Sequence, residues 1–197
     1  MGKRLFVSVD LDGLADAVER VQEPLVGLPG VDTVAPEGAH VTLKFLGDVG
    51  EARLPGVTDA IAEAVGSADV GPFEATFEGY GVFPSLDYIS VVWVGVDEGD
   101  TELARLHESI ERETTAIGFA PEEHDFTPHA TVARVRDARS KSEVQALVRE
   151  ENPTLGRLHV EEVRLTESTL TDDGPVYETV RSFPTRGGDE PPSTPGD

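Results

Sequence analysis

The chain has 197 residues, no cysteine, and 38 acidic against 16 basic side chains, a formal charge of −22. The length suits one domain with a sizeable core, and the lack of thiols excludes a disulfide framework, a thiolate nucleophile and a thiolate metal site. The carboxylates run along the whole chain and lysine stands only at positions 3, 44 and 141, which argues against capture of nucleic acid by a broad basic surface; any anionic substrate must be held by a few local cations.

The elements follow in chain order. Residues 4–10 (RLFVSVD) alternate and are rich in valine, the pattern of a half-buried strand. Residues 14–28 (LADAVERVQEPLVGL) carry apolar side chains at helical spacing, with Gly30 as a stop. A strand opens at His40 (HVTLKFLGDV), and a second amphipathic helix opens near Leu54 with Pro55 in its first turn. Strands are predicted over 72–84 and 88–97 across a turn at Ser85–Asp87, then a helix over 101–118 closed by Gly118. A strand opens at His129 (HATVARV), followed by a helix over 140–152, a long strand over 157–170, a turn over 171–175 and a strand over 176–183. Residues 1–184 read as one two-lobed domain; 185–197 (TRGGDEPPSTPGD) lack an apolar anchor and are expected to form a disordered tail. No apolar stretch reaches the ~18 residues of a membrane helix, and the opening MGKRLFVSVDL reads as a strand, not a signal peptide. A soluble cytoplasmic protein is expected.

The order repeats. VSVD ends at Asp10 and VGVD at Asp97; a helix follows each, and the two His strands begin 30 and 32 residues further on. Another helix and a long strand follow each His strand. The fold class expected is therefore α+β, with duplicated β-α-β-α-β halves packed as two lobes around a central cleft. Within a strand, residues i and i+2 share a face, so His40 and Thr42 share one, as do His129 and Thr131, with apolar residues behind them.

A single His-x-Thr pair is weak evidence, but two at matching places in a duplicated frame point to one bipartite site. Histidine can give and take a proton near neutral pH, and hydroxyls between two imidazoles suit the non-bridging oxygens of a phosphoryl group. That is the equipment for metal-free, in-line cleavage of a phosphodiester. Metal binding would want further histidines or carboxylates beside them. His124 has no repeat counterpart and reads as a loop residue, His107 as a solvent-facing helix residue, and His159 has no partner to name. Nucleophile-elbow, Walker and dinucleotide fingerprints are missing.

These residues resemble a family. HVTL and HATV, preceded by RLFVSVDL and accompanied by GYGVFPS, VVWVGVD, FTPHATVARV and VRLTESTLTDDGPVYETV, are similar to the two-histidine (2H) phosphoesterases, and within them to the RNA 2′,3′-cyclic phosphodiesterases once called 2′-5′ RNA ligases. The likeness spans about residues 3–184. It implies a LigT-like fold in which antiparallel sheets form a V-shaped cleft, and hydrolysis of a terminal 2′,3′-cyclic phosphate to a 2′-phosphate without cofactor or metal. Carried over by position, His40 is the general acid, His129 the general base, Thr42 and Thr131 hold the non-bridging oxygens, and Arg134 adds a charge-assisted contact. Phe45 and Phe83 are candidates for base stacking, although core packing is the expected role of each. Ligation of 2′,3′-cyclic and 5′-hydroxyl ends, and non-catalytic recognition of RNA ends, are the alternatives. The partner expected is an RNA end carrying a cyclic phosphate, or a small cyclic-phosphate nucleotide, bound by a monomer. Tyr88 and His124-Asp125 stand where relatives are more basic, which favours the shorter substrates.

The charge makes its own prediction. Carboxylate repulsion destabilises the fold at low ionic strength and is screened within ~3 Å at about 1 M salt, as in proteins from salt-in halophiles. The melting midpoint should therefore rise between about 0.1 M and about 2 M KCl; a flat or falling midpoint would contradict it.

Overall fold

The structure, a computed structural model, describes residues 2–172 and 174–186. Nine strands are labelled β1 (Gly2–Asp10), β2 (Val31–Thr33), β3 (His40–Gly50), β4 (Phe73–Ser85), β5 (Tyr88–Val96), β6 (His129–Val135), β7 (Thr154–Val160), β8 (Glu162–Thr171) and β9 (Gly174–Pro184). The helices are α1 (Ala15–Gln22), α2 (Leu54–Ser67), α3 (Asp100–Ala116) and α4 (Lys141–Glu150). The first helix is shorter than its apolar period suggests, because Pro24 falls in a separate 3₁₀ turn over Glu23–Leu25. The strand expected over 157–170 is two strands broken at Glu161, and the three-residue β2 was missed altogether.

All neighbouring strands pair antiparallel, in the order β7-β4-β5-β6-β3-β1-β8-β9, with β2 on β6. One curled sheet thus runs through both lobes rather than two separate ones. The lobes meet at β3 and β6, whose ladder consists of a single pair, Val41 opposite Ala130.

The lobes are not the two sequence halves. One contains β1, β3, β8 and β9, the other β4, β5, β6 and β7. The helices cross in the same way. α1 follows β1 but packs on β6 and β7, while α3 follows β5 but packs on β3 and on α2. Each half therefore lends its long strand or hairpin and its first helix to the opposite lobe, and the lobes are interlocked.

Alternation decides which side of the sheet is core. Leu5, Val7 and Val9 of β1 and Val41 and Leu43 of β3 are buried under Val57 and Ile61 of α2 and Leu103, Leu106 and Ile110 of α3. Ala75, Phe77, Val92, Val94, Ala130 and Val132 form the matching face of the other lobe with Val18, Val21 and Val144. The opposite, concave face carries the polar and aromatic residues. Most of the tail expected from 185 onward lies outside the described residues, but its first two members are held. Thr185 N–H donates to the Glu161 carbonyl at 2.9 Å and is buried, and Arg186 bridges to Val70.

One charge sits deep in the helix-side core. Lys44 is 1% exposed; its Nζ donates to Glu111 Oε2 at 2.6 Å and to the Ala120 carbonyl at 2.7 Å. Glu111 Oε1 also accepts from the Glu122 amide at 2.7 Å, so the pair fastens the segment that leads into β6. Burial alone would raise the Glu111 pKa, but the Lys44 and Glu122 donors outweigh it and hold the carboxyl below its ordinary 4.5. A depressed folded pKa means that this stabilisation is complete above about 4.5 and is lost as pH falls through the folded value. Lys44→Met, which keeps the volume and strands the carboxylate, should cost about 2–3 kcal/mol at neutral pH by denaturant unfolding. That is less than the ~3–5 of a fully buried pair, because Glu111 keeps some solvent. The deficit should shrink below about pH 4.5; a deficit independent of pH would mean that only packing was lost.

Candidate active site

The seam between the lobes is built by the two motif strands. Val41 and Ala130 pair and turn their side chains into the core, so the residues beside them turn onto the concave face. By register, His40 stands across the seam from Thr131 and Thr42 across from His129. All four are half-buried.

Both imidazoles are oriented by the same local device. His40 Nδ1–H donates to the Gly38 carbonyl at 2.7 Å, and His129 Nδ1–H donates to the Thr127 carbonyl at 2.6 Å. Each acceptor is two residues earlier in the chain and can only accept, so Nδ1 carries the proton in both rings. Nε2 is left as the nitrogen that can exchange one.

Aromatic rings wall each histidine. Phe6 of β1 lies 4.8 Å from His40, and Tyr177 of β9 meets it edge-on at 5.1 Å. Trp93 of β5 lies 5.7 Å from His129, and Phe83 of β4 meets it edge-on at 4.9 Å. Phe6 and Trp93 hold the same place in FVSVD and WVGVD, so the repeat itself marked this aromatic pair. Gly81 is required beneath the indole, since a Cβ there would lie 2.1 Å from Trp93 Cη2.

The walls dehydrate the rings. Burial pushes both imidazoles below the ordinary 6.5. For His40 the Gly38 bond and the Asp10 carboxylate work the other way, and Arg134 adds to the lowering. For His129 the Thr127 bond opposes burial, and the charge that lowers its pKa further is His40 itself. His129 therefore senses the His40 charge across the seam. Asp10 is held by Ser8 Oγ at 2.8 Å and by Arg164 Nη1 at 2.7 Å, and Arg164 also pairs with Asp12 and Glu162. Asp10 entered the sequence reading only as the end of the VSVD repeat, and Arg164 not at all.

Arg134 is exposed on β6, and its charge reaches both His40 and Tyr177. Phe45 corrects the expectation of core packing. It is 66% exposed, with its ring 6.3 Å from Phe6 on the concave side. Phe83 is half-buried between Trp93 and His129. Tyr88 is exposed at the β4–β5 turn. The remaining histidines lie elsewhere. His159 Nδ1 contacts Glu74 Oε1 at 2.5 Å on the β4–β7 pair. His124 lines a depression beside α3 with Glu108, Glu111 and Asp125; among the described residues no three of His, Asp or Glu are arranged to hold a metal ion. His107 is half-buried, lining the same depression rather than standing free in solvent: it donates from Nδ1 to the Leu43 carbonyl at 2.7 Å and stacks on Phe126.

Comparison with known proteins gives the chain's family and fold relatives. The family model of the 2′-5′ RNA ligase superfamily matches residues 11–172. A Methanothermobacter thermautotrophicus protein named RNA 2′,3′-cyclic phosphodiesterase is 40% identical over 186 residues, 93% of this chain and 99% of its own length. An Archaeoglobus fulgidus protein of the same name is 39% identical over 91% of this chain and 99% of its own. Among solved structures, a Thermus thermophilus protein superposes with a TM-score of 0.75 at 28% identity, covering 94% of this chain and 99% of that one. E. coli LigT complexed with 3′-AMP also gives 0.75, at 21% identity over 94% and 99% of the two chains, a likeness of fold. The chain belongs to the 2′-5′ RNA ligase superfamily, the two-histidine phosphoesterases.

Proposed function

We propose that this chain hydrolyses the terminal 2′,3′-cyclic phosphate of RNA to a 2′-phosphate by acid–base catalysis between His40 and His129, with no metal in the step. The observation that carries the reading is the pair of imidazoles, each with Nδ1 tied to a carbonyl and Nε2 free, flanking one seam with a threonine opposite each. Relatives matched over 93% and 91% of the chain are named RNA 2′,3′-cyclic phosphodiesterase, which supports the reading.

In the proposed step, His129 Nε2 takes a proton from water as its oxygen bonds to phosphorus. The P–O3′ bond breaks, and His40 Nε2–H protonates the departing 3′ oxygen. Phosphorus stays on the 2′ oxygen, and the proton gained by His129 and lost by His40 is restored through solvent. Thr42 and Thr131 hold the non-bridging oxygens, where negative charge concentrates in the transition state, and Arg134 supplies the local cation. The charges support this division of labour. His40 faces Asp10, which favours its protonated form, whereas His129 faces the His40 charge, which favours its neutral form. Exposed Phe45, beside Phe6, offers a face for the nucleobase next to the phosphate.

The chain's surplus of 22 negative charges repels a long polyanion, so the substrate is a short RNA end or a small cyclic-phosphate nucleotide, taken up best at high salt. The test is turnover, in EDTA and about 2 M KCl, of an oligonucleotide ending in a 2′,3′-cyclic phosphate. His40→Ala and His129→Ala should each lower kcat by about 10²–10⁴-fold, and the product should be the 2′-phosphate. Near-normal turnover by either variant, or a requirement for added metal, would overturn the mechanism.

A further inference from the structure

Each motif strand carries an extra residue at a matching place against its partner, and β3 carries a second one further on, at Leu46. Along β1 and β3, Val7 faces Lys44 and Ser8 faces Thr42, so Leu43 has no opposite number. Along β5 and β6, Val92 faces Ala133 and Trp93 faces Thr131, so Val132 has none. The two β-bulges occupy the same place in the repeat, three residues after each catalytic histidine. A bulge resets alternation. After Thr42 the next residue on the concave face is Phe45, while Lys44 turns inward. After Thr131 it is Arg134, while Ala133 turns inward. Regular strands would put Lys44 and Ala133 in the cleft and bury Phe45 and Arg134.

A bulge disrupts the ladder, and the carbonyls of these extra residues are both met by side chains from the crossed-over helices. His107 of α3 donates from Nδ1 to the Leu43 carbonyl at 2.7 Å. Gln22 of α1, itself 3% exposed, donates from Nε2 to the Val132 carbonyl at 2.9 Å, which also accepts from the Val34 amide at 3.1 Å, and to the Val34 carbonyl at 2.8 Å. His107 reaches further: its ring stacks on Phe126 at 4.2 Å and 8°, three residues before His129. The same imidazole therefore braces the bulge of one motif strand and the approach to the other.

We infer that His107 and Gln22 are a matched pair of positioning residues that hold the two bulges, and so set which side chains the cleft presents beside each His-x-Thr pair. The inference rests on the proposed site for its consequence in turnover, but not for its geometry. Because the β3 bulge adjoins Thr42, which acts on the transition state, and sets the face of Phe45, which meets bound substrate, releasing it should move kcat and KM together. Loss of folded protein alone would lower the apparent kcat and leave KM unchanged.

His107→Phe keeps a ring on Phe126 and removes the donor; His107→Asn puts an amide N–H near the place of Nδ1 and removes the ring. Each is assayed with its melting curve in about 2 M KCl, which supports the fold. His107→Phe should lower kcat about tenfold and raise KM several-fold, and His107→Asn should recover most of both. By NMR, the amide shifts of residues 42–45 should move in His107→Phe and stay near wild type in His107→Asn, whether or not the protein turns over. An inactive wild type would sink the proposed function and leave this shift test standing. Unmoved shifts, unchanged KM, or His107→Asn no better than His107→Phe would overturn the positioning role.

Discussion

The chemistry of this protein depends on two strands meeting at one backbone pair. Val41 and Ala130 join the lobes, and every proposed catalytic group is placed relative to that contact. One ladder pair cannot fix the spacing of two lobes, so the constraint is shared with elements that cross the seam. The crossed helices supply it: α1 reaches from one half to brace β6, and α3 reaches from the other to brace β3. Lys44 and Glu111 then fasten the segment entering β6 to the back of β3. Duplication gave two similar half-sites, and interlocking made them one rigid cleft.

Electrostatics divide the molecule into two regimes. The outer surface carries the carboxylate surplus, whose effects solvent and salt weaken. Within the cleft the rings of Phe6, Tyr177, Trp93 and Phe83 exclude water from the imidazoles, and individual charges act at close range. There burial lowers both imidazoles, while Asp10 and Arg134 act on His40 in opposite directions and His40 acts on His129. An acidic protein can thus handle a phosphate if the contact is local and the rest of the ligand is short and stacked rather than threaded along a basic groove.

Much of this was legible in the sequence for definite reasons. The helices from Leu54 and near Asp100 declared themselves by period and by their Pro and Gly signals, and the His-x-Thr strands by alternation plus repetition. What failed were the places where a period breaks. The bulges at Leu43 and Val132 shift the face of the residues that follow them, so Phe45, expected in the core, is exposed, and Lys44 is buried. His107 looked solvated because its partner, the Leu43 carbonyl, becomes available only through such a bulge. The exchange of elements between lobes left no local trace either, since a strand's own pattern does not say which neighbour it will join.

The central claim is that two imidazoles share one proton-transfer task, and the pH dependence of kcat/KM on a 2′,3′-cyclic-phosphate oligonucleotide tests it most directly. In the proposed step His129 is neutral and His40 protonated, so the rate should rise as the first loses its proton and fall as the second does. Both are pushed below 6.5 by burial, and kcat/KM reports the free enzyme. The account predicts a bell whose maximum lies on the acid side of 6.5, flattened to a single limb by substitution of either histidine. A wild-type profile with one limb only, or one still climbing through about pH 8, would contradict it.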